Sequence, residues 1–488
     1  MGPGPVCTST DNPKRIQFGK HVLPATWRMI GSKAHSSSAA AEVVAGVLPF
    51  RFRKRELCCR EYARIKCKDE NHPLVKLFKS STRAGMRCCP LEYIRVVSKE
   101  LERAISGCNT RRRNTLSVAE ITSEDRIFRR NIDGVDEKVV EANSNLQNVD
   151  AVNQFVKLCK GSSVVIFSDG SVCNGPVGSG ACAAVLYPLL DTEEVMSCTK
   201  AVGKKVSSEQ CEVEGIIFGM EIAISYLSAC QSNKGSGRIL VFCDCESAID
   251  TVDRKLELVR YPEIFKRLSA IQSQLNEMDK YVNLVHISGH TGIIGNELAD
   301  VKAREAAHSI AAGKTEASND ITVADVYKLS KDIAMRSWQR KWNEDSVGRF
   351  THSLIPEVGT KVIYPKTREV GVSYCRILLH DTMLNDDACR TGIANTHICE
   401  CGQENETVEH VLLRCPRYVE ARRVMKDEIT TTLNILNIQR KKKRKVEIND
   451  TLLLTPYSYD NSNNINRKED ICIKEALFEF LSCVDRRI

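Results

Sequence analysis

The chain has 488 residues, enough for roughly two to four domains with a core in each. Its 42% hydrophobic and 27% charged residues are typical of a soluble globular protein, and no run of about eighteen apolar residues occurs, so neither a membrane span nor a membrane partner is expected. The formal net charge of +8 is modest for this length, so local basic clusters matter more than the total for a polyanionic partner.

Cysteine usage and the N-terminus both favour an intracellular protein. Several of the 22 cysteines lie in apolar segments, for example Cys182, Cys230 and Cys243, and they form no short repeated framework. Buried reduced thiols are therefore predicted rather than a disulfide scaffold. Residues 2–24 contain no apolar stretch of the kind that a signal peptide has.

The N-terminal part of the chain predicts helices followed by a polar linker. Apolar residues recur at helical spacing before Pro49, in a basic stretch after it, and again after Pro90. Residues from Ser106 to about Val149 are charged and polar, which predicts a linker or mobile arm. The three arginines at 111–113 are interpreted as solvated surface, with binding of a nucleic-acid hybrid as the minority alternative.

The middle of the chain carries the strongest chemical signal. Four acids lie where a predicted strand or helix begins or ends, namely Asp169, Glu212, Asp244 and Asp300. The first and third each follow an apolar strand, and the second lies near the start of an amphipathic helix. The fourth lies on a helix that follows a glycine-containing turn with His290.

Carboxylates that converge from separated segments suit a metal site. Oxygen-rich clusters bind hard divalent cations, and two such ions can activate a water and stabilise the leaving oxygen of a phosphoryl displacement. An imidazole nearby, here His290, can shuttle protons or help the product leave. For any one of the acids an ordinary turn or cap role is the better interpretation. The set favours a metal site, because every member can point to one side of one sheet.

Four short motifs contain these residues: Asp169-Gly-Ser, Cys211-Glu-Val, Cys243-Asp-Cys-Glu-Ser-Ala, and Gly289-His-Thr-Gly-Ile-Ile-Gly-Asn-Glu-Leu-Ala-Asp. In this order they resemble the ribonuclease H domain of non-LTR retrotransposons, and the last motif is the most specific. The resemblance implies an α/β fold with a ribonuclease H-like mixed five-stranded sheet flanked by helices. It also implies cleavage of the RNA strand of an RNA-DNA hybrid, with His290 as the family's flexible histidine. The two Mg²⁺ or Mn²⁺ ions of such a domain would be held by Asp169, Glu212, Asp244 and Asp300.

Two details test the match to this family. The family often has Trp and Pro before the Gly-His pair, where this chain has His286 and Ser288, and these departures concern substrate fit more than metal binding. Glu214 is a rival for the helix acid, but positions two apart on a helix differ by about 200° in direction, so only one can face the sheet edge. Glu212 is preferred, because Val213 and Gly215 match the apolar residue and the small residue that follow the helix acid in the family.

The flanking segments also resemble parts of these elements. Residues 38–50 and the basic helix after them resemble the connection between reverse transcriptase and ribonuclease H. A polymerase would need an aromatic residue and two aspartates on a hairpin, and the nearest segment, at 384–387, lacks the aromatic. Reverse transcriptase activity is therefore not expected. Further on, Trp338 and Trp342 predict core packing, and the segment before His380 resembles the tail of the same elements.

A second metal site is predicted near the C-terminus. Its four candidate ligands are Cys399, Cys401, His410 and Cys415. Two thiolates, a turn glycine, and a His and a Cys on a predicted helix can close a tetrahedral zinc site, although one residue between the first two is tighter than the usual spacing. The set resembles the Cys-Cys-His-Cys knuckle at the C-terminus of such elements. With no open coordination position, Zn²⁺ there is assigned to folding and to nucleic-acid contact.

The tail holds the densest basic run, Arg440 to Lys445. It resembles a nuclear localisation signal, and a flexible arm that binds phosphates is the alternative. Residues 461–466 are rich in asparagine, and a short amphipathic helix is predicted near Ile473 to Val484.

The sequence thus predicts five segments and one leading function. The segments are a helical remnant of the connection (1–105), a linker (106–158), the ribonuclease H domain (159–312), a helical region with the zinc knuckle (321–425) and a basic, partly disordered tail (426–488). The leading hypothesis is a metal-dependent endonuclease that acts on RNA-DNA hybrids. The alternative is a catalytically silent nucleic-acid-binding protein derived from a retroelement.

Overall fold

The computed structural model describes most of the chain, and the described residues form two compact units. The described ranges are 26–32, 36–68, 70–80, 90–111, 127–129, 162–188, 195–229, 237–254, 262–290, 293–439, 448–456 and 467–484. One unit is Arg55–Ile333, and the other combines Met1–Lys54 with Ala334–Ile488. The five segments predicted from the sequence divide the chain at other places, and that division stays a prediction.

Strands are concentrated in the middle of the chain, and helices occur throughout. The strands are β1 (Asn109–Arg111), β2 (Ile127–Arg129), β3 (Ser162–Cys173), β4 (Val177–Pro188), β5 (Met196–Ser207), β6 (Gly237–Cys243), β7 (Lys280–His286) and β8 (Asp320–Thr322). The helices are α1 (Ser38–Val44), α2 (Phe50–Lys66), α3 (Pro73–Ser80), α4 (Pro90–Val97), α5 (Lys99–Ala104), α6 (Ser208–Ala229), α7 (Glu246–Arg254), α8 (Pro262–Glu277), α9 (Ile294–Ala311), α10 (Val323–Glu344), α11 (Arg349–Leu354), α12 (Arg368–Leu379), α13 (Asn385–Arg390), α14 (Val419–Gln439), α15 (Asp450–Leu454) and α16 (Arg467–Cys483). Across the described ranges, none of these helices combines the length and the apolar character that a membrane crossing requires.

Six strands form a mixed sheet in the unit Arg55–Ile333, in the order β2-β7-β6-β3-β4-β5. Strands β3, β4 and β5 are antiparallel neighbours, whereas β3, β6, β7 and β2 run parallel. The predicted fold class, a mixed sheet flanked by helices, is confirmed. The five predicted strands are β3 to β7. The three-residue edge strand β2 was not predicted and comes from the segment interpreted as a linker.

The central strand β3 supplies both faces of the sheet with apolar side chains. Val164 and Ile166 lie in a core cluster with residues of α6, α7 and α8, whereas Val165 and Phe167 lie in a cluster with α9. Successive side chains of a strand point to opposite faces, so a continuous apolar run is what a strand covered on both sides requires. The run ends just before Asp169, at one edge of the helix layers.

A third apolar cluster in this unit lies beside the sheet. It contains residues of α2, α3, α5, β8 and α10 together with Val177 of β4. The short strands β1 and β8 pair in parallel, with Asn109 opposite Asp320. Segments that precede and follow the sheet along the chain therefore pack together, and the stretch interpreted as a linker contributes two short strands.

The second unit, of residues 1–54 and 334–488, is helical. Its core contains residues of α1, α11, α12, α14, α15 and α16 and the second half of α10. Trp338 and Trp342 are 3% and 1% exposed, which confirms their prediction as core residues. Segments from the two ends of the described chain thus share one apolar core.

The end of the chain differs from the predicted tail. Helix α16 begins at Arg467, earlier than the predicted short helix, and its apolar face lies in the core of the second unit. The buried Lys474 is 3.0 Å from the equally buried Asp470 and donates to the carbonyl of Thr455 at 3.1 Å. In the sequence, charged residues such as these indicate a solvated segment, because the ion pair that allows their burial is not visible there. The basic run at 440–445 and the asparagine-rich residues 461–466 lie outside the described residues.

Candidate active site and metal centre

Two of the predicted acids lie at the same level on neighbouring parallel chain segments. The register of β3 and β6 ends with Ser168 opposite Cys243, so Asp169 and Asp244 are the next residues on the two segments. Asp244 follows the end of β6, whereas Asp169 lies within β3, which continues to Cys173 beside β4 instead of ending before the acid as predicted. Both side chains therefore start from the end of the parallel pairing.

Glu212 reaches this place from the first turns of α6. A Cβ atom on Gly170 would lie 2.2 Å from the amide nitrogen of Glu212, so only glycine permits this approach of strand to helix. The thiol of Cys243 donates to Glu212 Oε2 at 3.8 Å. The ligand atoms of Glu212, Cys243 and Asp244 lie within 4.8 Å of one another, which makes them a group that can hold a cation.

Asp300 and His290 form a second group at the start of α9. The ligand atoms of His290, Glu297 and Asp300 lie within 4.8 Å of one another. His290 is exposed and has a left-handed backbone with φ of 55°. A Cβ on the preceding Gly289 would lie 2.7 Å from Asp244 Oδ2, so the turn passes directly over that carboxylate. The turn thus presents an imidazole to solvent beside the acids.

Burial and like charge link the four acids. Burial is the main cause that raises the pKa of Asp169 to about 7, and the charges of Asp244 and Asp300 add to it. His290 has the opposite effect on this pKa. Burial also raises the pKa of Glu212 well above its ordinary range, followed by the charges of Asp169 and Asp244. The pKa of Asp169 is therefore raised by one acid from each group. The structure places all five predicted site residues close to one another.

The rival helix acid is engaged elsewhere. Glu214 Oε2 lies 2.6 Å from Arg267 Nη1 and 3.3 Å from Lys200 Nζ. Arg267 also pairs with Glu221, at 2.6 Å, so Glu214 belongs to an ion-pair network that joins α6 to α8. The negative charge of Glu214 is balanced by the positive charges of Arg267 and Lys200.

Four residues without a predicted role contact the site. Asn296 Nδ2 donates to Asp244 Oδ2 at 3.1 Å, and Arg304 Nη1 lies 3.4 Å from Asp300 Oδ2. The other two are Cys243 and Glu297. The position of Asn296 and Glu297 in the most specific motif was the available signal. Cys243 and Arg304 had only their sequence distance from an acid, which is too common a feature to select them.

The predicted zinc ligands also come together. The ligand atoms of the set lie within 4.8 Å of one another, and the set is Cys399, Cys401, His410 and Cys415. Cys399 Sγ is 3.8 Å from Cys415 Sγ, and Cys401 Sγ is 3.3 Å from His410 Nε2. In place of the predicted helix, His410–Arg414 form one π-helical turn, which ends directly before Cys415. Three sulfurs and one imidazole nitrogen at these separations suit a tetrahedral Zn²⁺ site.

The surroundings of His410 also fit a metal on its other nitrogen. His410 is fully buried, and its Nδ1 makes no hydrogen bond but faces Glu404 Oε2 at 3.4 Å. A metal-bound imidazole commonly directs its second nitrogen at a carboxylate, which sets its tautomer. The amide of Gln403 is the main cause that lowers the pKa of Cys401, whereas burial raises the pKa of Cys399 to about 12. Cys401 is thus the readier thiolate of the two.

Arginines around this cluster are paired with acids or carbonyls. Arg414 lies 3.1 Å from Glu404 and Arg417 2.7 Å from Glu400. The buried Arg422 donates to the carbonyl oxygens of residues 411, 412 and 415 at 2.7 to 3.0 Å and so ties α14 to the cluster. These guanidinium groups hold the segment together.

Comparisons with known proteins agree with the motifs. Residues 161–308 match the family model of RNase H. The chain is 34% identical over 85 residues to a Pol polyprotein of the type-1 retrotransposable element R1 of Bradysia coprophila, which covers 17% of this chain and 8% of that protein. It is 30% identical over 116 residues to the Pol polyprotein of the element R1 3 of Nasonia vitripennis, which covers 22% and 30% of the two chains. The chain thus spans less than a third of either relative's length.

Among solved structures, the N-terminal RNase H domain of rv2228c from Mycobacterium tuberculosis, studied as a fusion with maltose-binding protein, is 20% identical. The similarity covers 31% of this chain and 98% of that one, with a TM-score of 0.24. By the match to the family model, residues 161–308 form an RNase H domain, and by the two relatives, part of the chain is homologous to the Pol polyproteins of R1 retrotransposable elements.

Proposed function

We propose that the RNase H domain is a divalent-metal-dependent endonuclease that hydrolyses the RNA strand of RNA-DNA hybrids. One observation carries the proposal, namely the convergence of Asp169, Glu212, Asp244 and Asp300. The match to the family model supports the reaction class. The five segments predicted from the sequence remain part of this proposal.

The donor set fits two hard divalent ions, Mg²⁺ or Mn²⁺, because carboxylate oxygens predominate. Glu212 and Asp244 would hold one ion and Asp300 the other. Asp169, whose pKa is raised by the charges of Asp244 and Asp300, would supply a further carboxylate to hold the ions. When bound, such ions polarise the scissile phosphate and activate water.

The chain's own residues orient the acids and manage protons. Asn296 holds Asp244 Oδ2 in place through its side-chain amide. His290, exposed on its turn, can accept or release a proton at its imidazole and can help the product leave. A domain that reads hybrid shape rather than sequence binds with weak sequence preference and strong salt dependence.

The direct test is cleavage of a hybrid labelled separately on its RNA and DNA strands, with Mg²⁺ or Mn²⁺. We expect wild type to cut the RNA strand only, and Asp169→Asn to reduce turnover by at least about 10³-fold, because it removes the acid shared by both groups. Asp169→Asn should stay folded, since it also removes like-charge repulsion. The control is Glu305→Gln, an exposed acid of α9 that lies 3.3 Å from Lys302 Nζ.

Each outcome of this assay is informative. Undiminished turnover in Asp169→Asn would contradict the site assignment. Binding of the hybrid by wild type without any cleavage would favour a catalytically silent nucleic-acid-binding protein instead.

The Cys/His cluster supports a further proposal of one structural Zn²⁺. Its ligand separations and the buried imidazole favour zinc, and Arg422 links it to α14, so folding of the helical unit is the role best supported. Nucleic-acid contact by this segment and nuclear localisation through residues 440–445 stay proposals. The pairing of Arg414 and Arg417 with acids gives the nucleic-acid contact no support.

A further inference from the structure

The chain that follows the RNase H match contacts the start of α6, the helix that carries Glu212. Lys328, on α10, places its Nζ 2.5 Å from Glu209 Oε2 and 3.2 Å from Ser207 Oγ. Ser207 is the last residue of β5, and α6 begins at the next residue. Lys328 therefore holds both the residue before α6 and a residue of its first turn.

The start of α10 is itself a rigid support. Thr322 Oγ1 donates to Asp325 Oδ2 at 2.6 Å, and the amide of Asp325 donates back to Thr322 Oγ1 at 3.1 Å. This reciprocal pair closes the N-terminus of a helix. Asp325 is fully buried, and burial raises the pKa of its carboxyl group, an effect that Ser207, Thr322 and Lys328 oppose.

Apolar contacts dock the same segment beside the sheet. Ile321, Val326 and Leu329 are buried in one cluster with Val177 of β4. The backbone adds a further link, because the amide of Lys204 in β5 donates to the carbonyl of Ser318 at 2.9 Å. The chain from 318 to 329 is thus attached to the domain at several points, all in the unit Arg55–Ile333.

A movement of the start of α6 would be transmitted directly to the acids. Glu209 precedes Glu212 by three residues, so the two lie on neighbouring faces of one turn. The same turn touches β3 at Gly170, where a Cβ would lie 2.2 Å from the Glu212 amide. Little space separates this turn from Asp169, and a shift of a few tenths of an ångström changes the distance between the two carboxylates.

We propose that Lys328 is a positioning residue of the active site, which holds the first turn of α6 so that Glu212 meets Asp169 and Asp244. The proposal rests on the function proposed above. It assigns a role in metal binding to a residue outside 161–308, the range of the family match.

The test is made on the full chain with three variants. Lys328→Met removes the charge and keeps the length, and Lys328→Arg restores the charge. Lys331→Met is the matched control, an exposed lysine on the same helix. Mg²⁺ binding is measured by titration calorimetry, cleavage by steady-state kinetics, and the mobility of residues 208–212 by amide hydrogen exchange.

We expect Lys328→Met to raise the Mg²⁺ midpoint by about 3- to 10-fold, because it loosens the helical turn that carries the ligand Glu212, and support around metal ligands contributes to metal affinity. Exchange at 208–212 should become faster, and KM for the hybrid should stay unchanged. Lys328→Arg should recover most of the affinity, and Lys331→Met should equal wild type. If Lys328→Met does not fold, Glu209→Gln breaks the same ion pair from the other side, and the same shift is expected.

A lower melting temperature with a wild-type Mg²⁺ midpoint would overturn the positioning role and leave Lys328 a purely structural residue. That result differs from a failure of the proposed function, in which wild type itself neither binds Mg²⁺ at the site nor cleaves the hybrid.

Discussion

The carboxyl group of Asp169 titrates in a range that physiological conditions reach. Burial and the neighbouring acids raise its pKa from 3.8 to about 7. The folded, Mg²⁺-free protein therefore holds a proton that the unfolded chain releases near pH 4, and Glu212 is shifted in the same direction. The contribution of protonated Asp169 to the free energy of unfolding is complete below about pH 4 and is lost as the pH rises through about 7.

This shift predicts an inverse dependence of stability on pH. Without added Mg²⁺, the melting temperature of the RNase H domain should fall between pH 5 and pH 8, as measured by calorimetry. Added Mg²⁺ should stabilise more at pH 8 than at pH 5, because protons compete with the metal for the same oxygens. Asp169→Asn should flatten the profile. A metal-free stability that rises over this range would contradict the assignment of a protonated, buried Asp169.

Side-chain direction shows where residue-level prediction succeeds and where it stops. Glu212 and Glu214 were both candidates for the site acid on the predicted helix, and helical geometry allowed only one of them to face the sheet edge. The partners that distinguish them, Arg267 for Glu214 and Cys243 for Glu212, come from separate segments. Local pattern could therefore list the candidates, while the choice depended on the family resemblance.

At the scale of elements, the junction of β3 and α6 is the tightest contact of the site. Gly170→Ala would place a Cβ 2.2 Å from the Glu212 amide and 2.3 Å from the carbonyl carbon of Cys211, both backbone atoms that cannot move alone. We expect a loss of about 1–3 kcal/mol in the free energy of unfolding and a larger loss of cleavage, because the helix must shift away from Asp169. Denaturant titration and the hybrid assay measure the two effects.

The control for this prediction is Gly371→Ala in α12. A Cβ there meets only ordinary contacts, 3.6 Å from Pro365, and alanine favours a helix. Stability should be equal or higher. If Gly170→Ala kept wild-type stability and cleavage, the close approach of β3 to α6 would not be needed for the site.

Element prediction was most accurate where periodicity is strong. Strands β3 and β6 were predicted from their apolar runs, and α6 was predicted from its amphipathic pattern. In each case the apolar residues that form the pattern are the ones that the fold buries. The three-residue strands β1 and β2 have no such signal, since they are ordered by partners far along the chain. An amphipathic helix was predicted near Ile473 to Val484, whereas its start at Arg467 was not, because the first turns carry charged residues such as Asp470, which pairs with Lys474.

At the scale of the whole molecule, the two units can be observed separately. All three tryptophans of the chain, Trp27, Trp338 and Trp342, belong to the unit of residues 1–54 and 334–488. The acids of the RNase H site belong to the other unit. Tryptophan fluorescence therefore reports unfolding of the helical unit, whereas hybrid cleavage reports the RNase H domain.

Loss of the C-terminal metal should therefore affect the two signals differently. Cys401→Ser should lose one equivalent of Zn²⁺ by atomic absorption and lower the unfolding midpoint measured by tryptophan fluorescence, because a structural zinc contributes folding free energy. Cleavage by the RNase H domain should persist. The matched control is Cys472→Ser, a half-buried cysteine of the same unit outside the cluster. An unchanged zinc content in Cys401→Ser would refute the ligand set.

By itself, the sequence determined the RNase H fold, the four acids and the Cys/His ligand set as candidates, because strand periodicity and short motifs are local properties of the chain. The tertiary structure alone decided which side chains meet. The register of β3 and β6 set Asp169 beside Asp244, and packing joined the start of α10 to the helix of Glu212. Contacts between residues so far apart along the chain depend on the packing of several elements at once, and no local pattern encodes them.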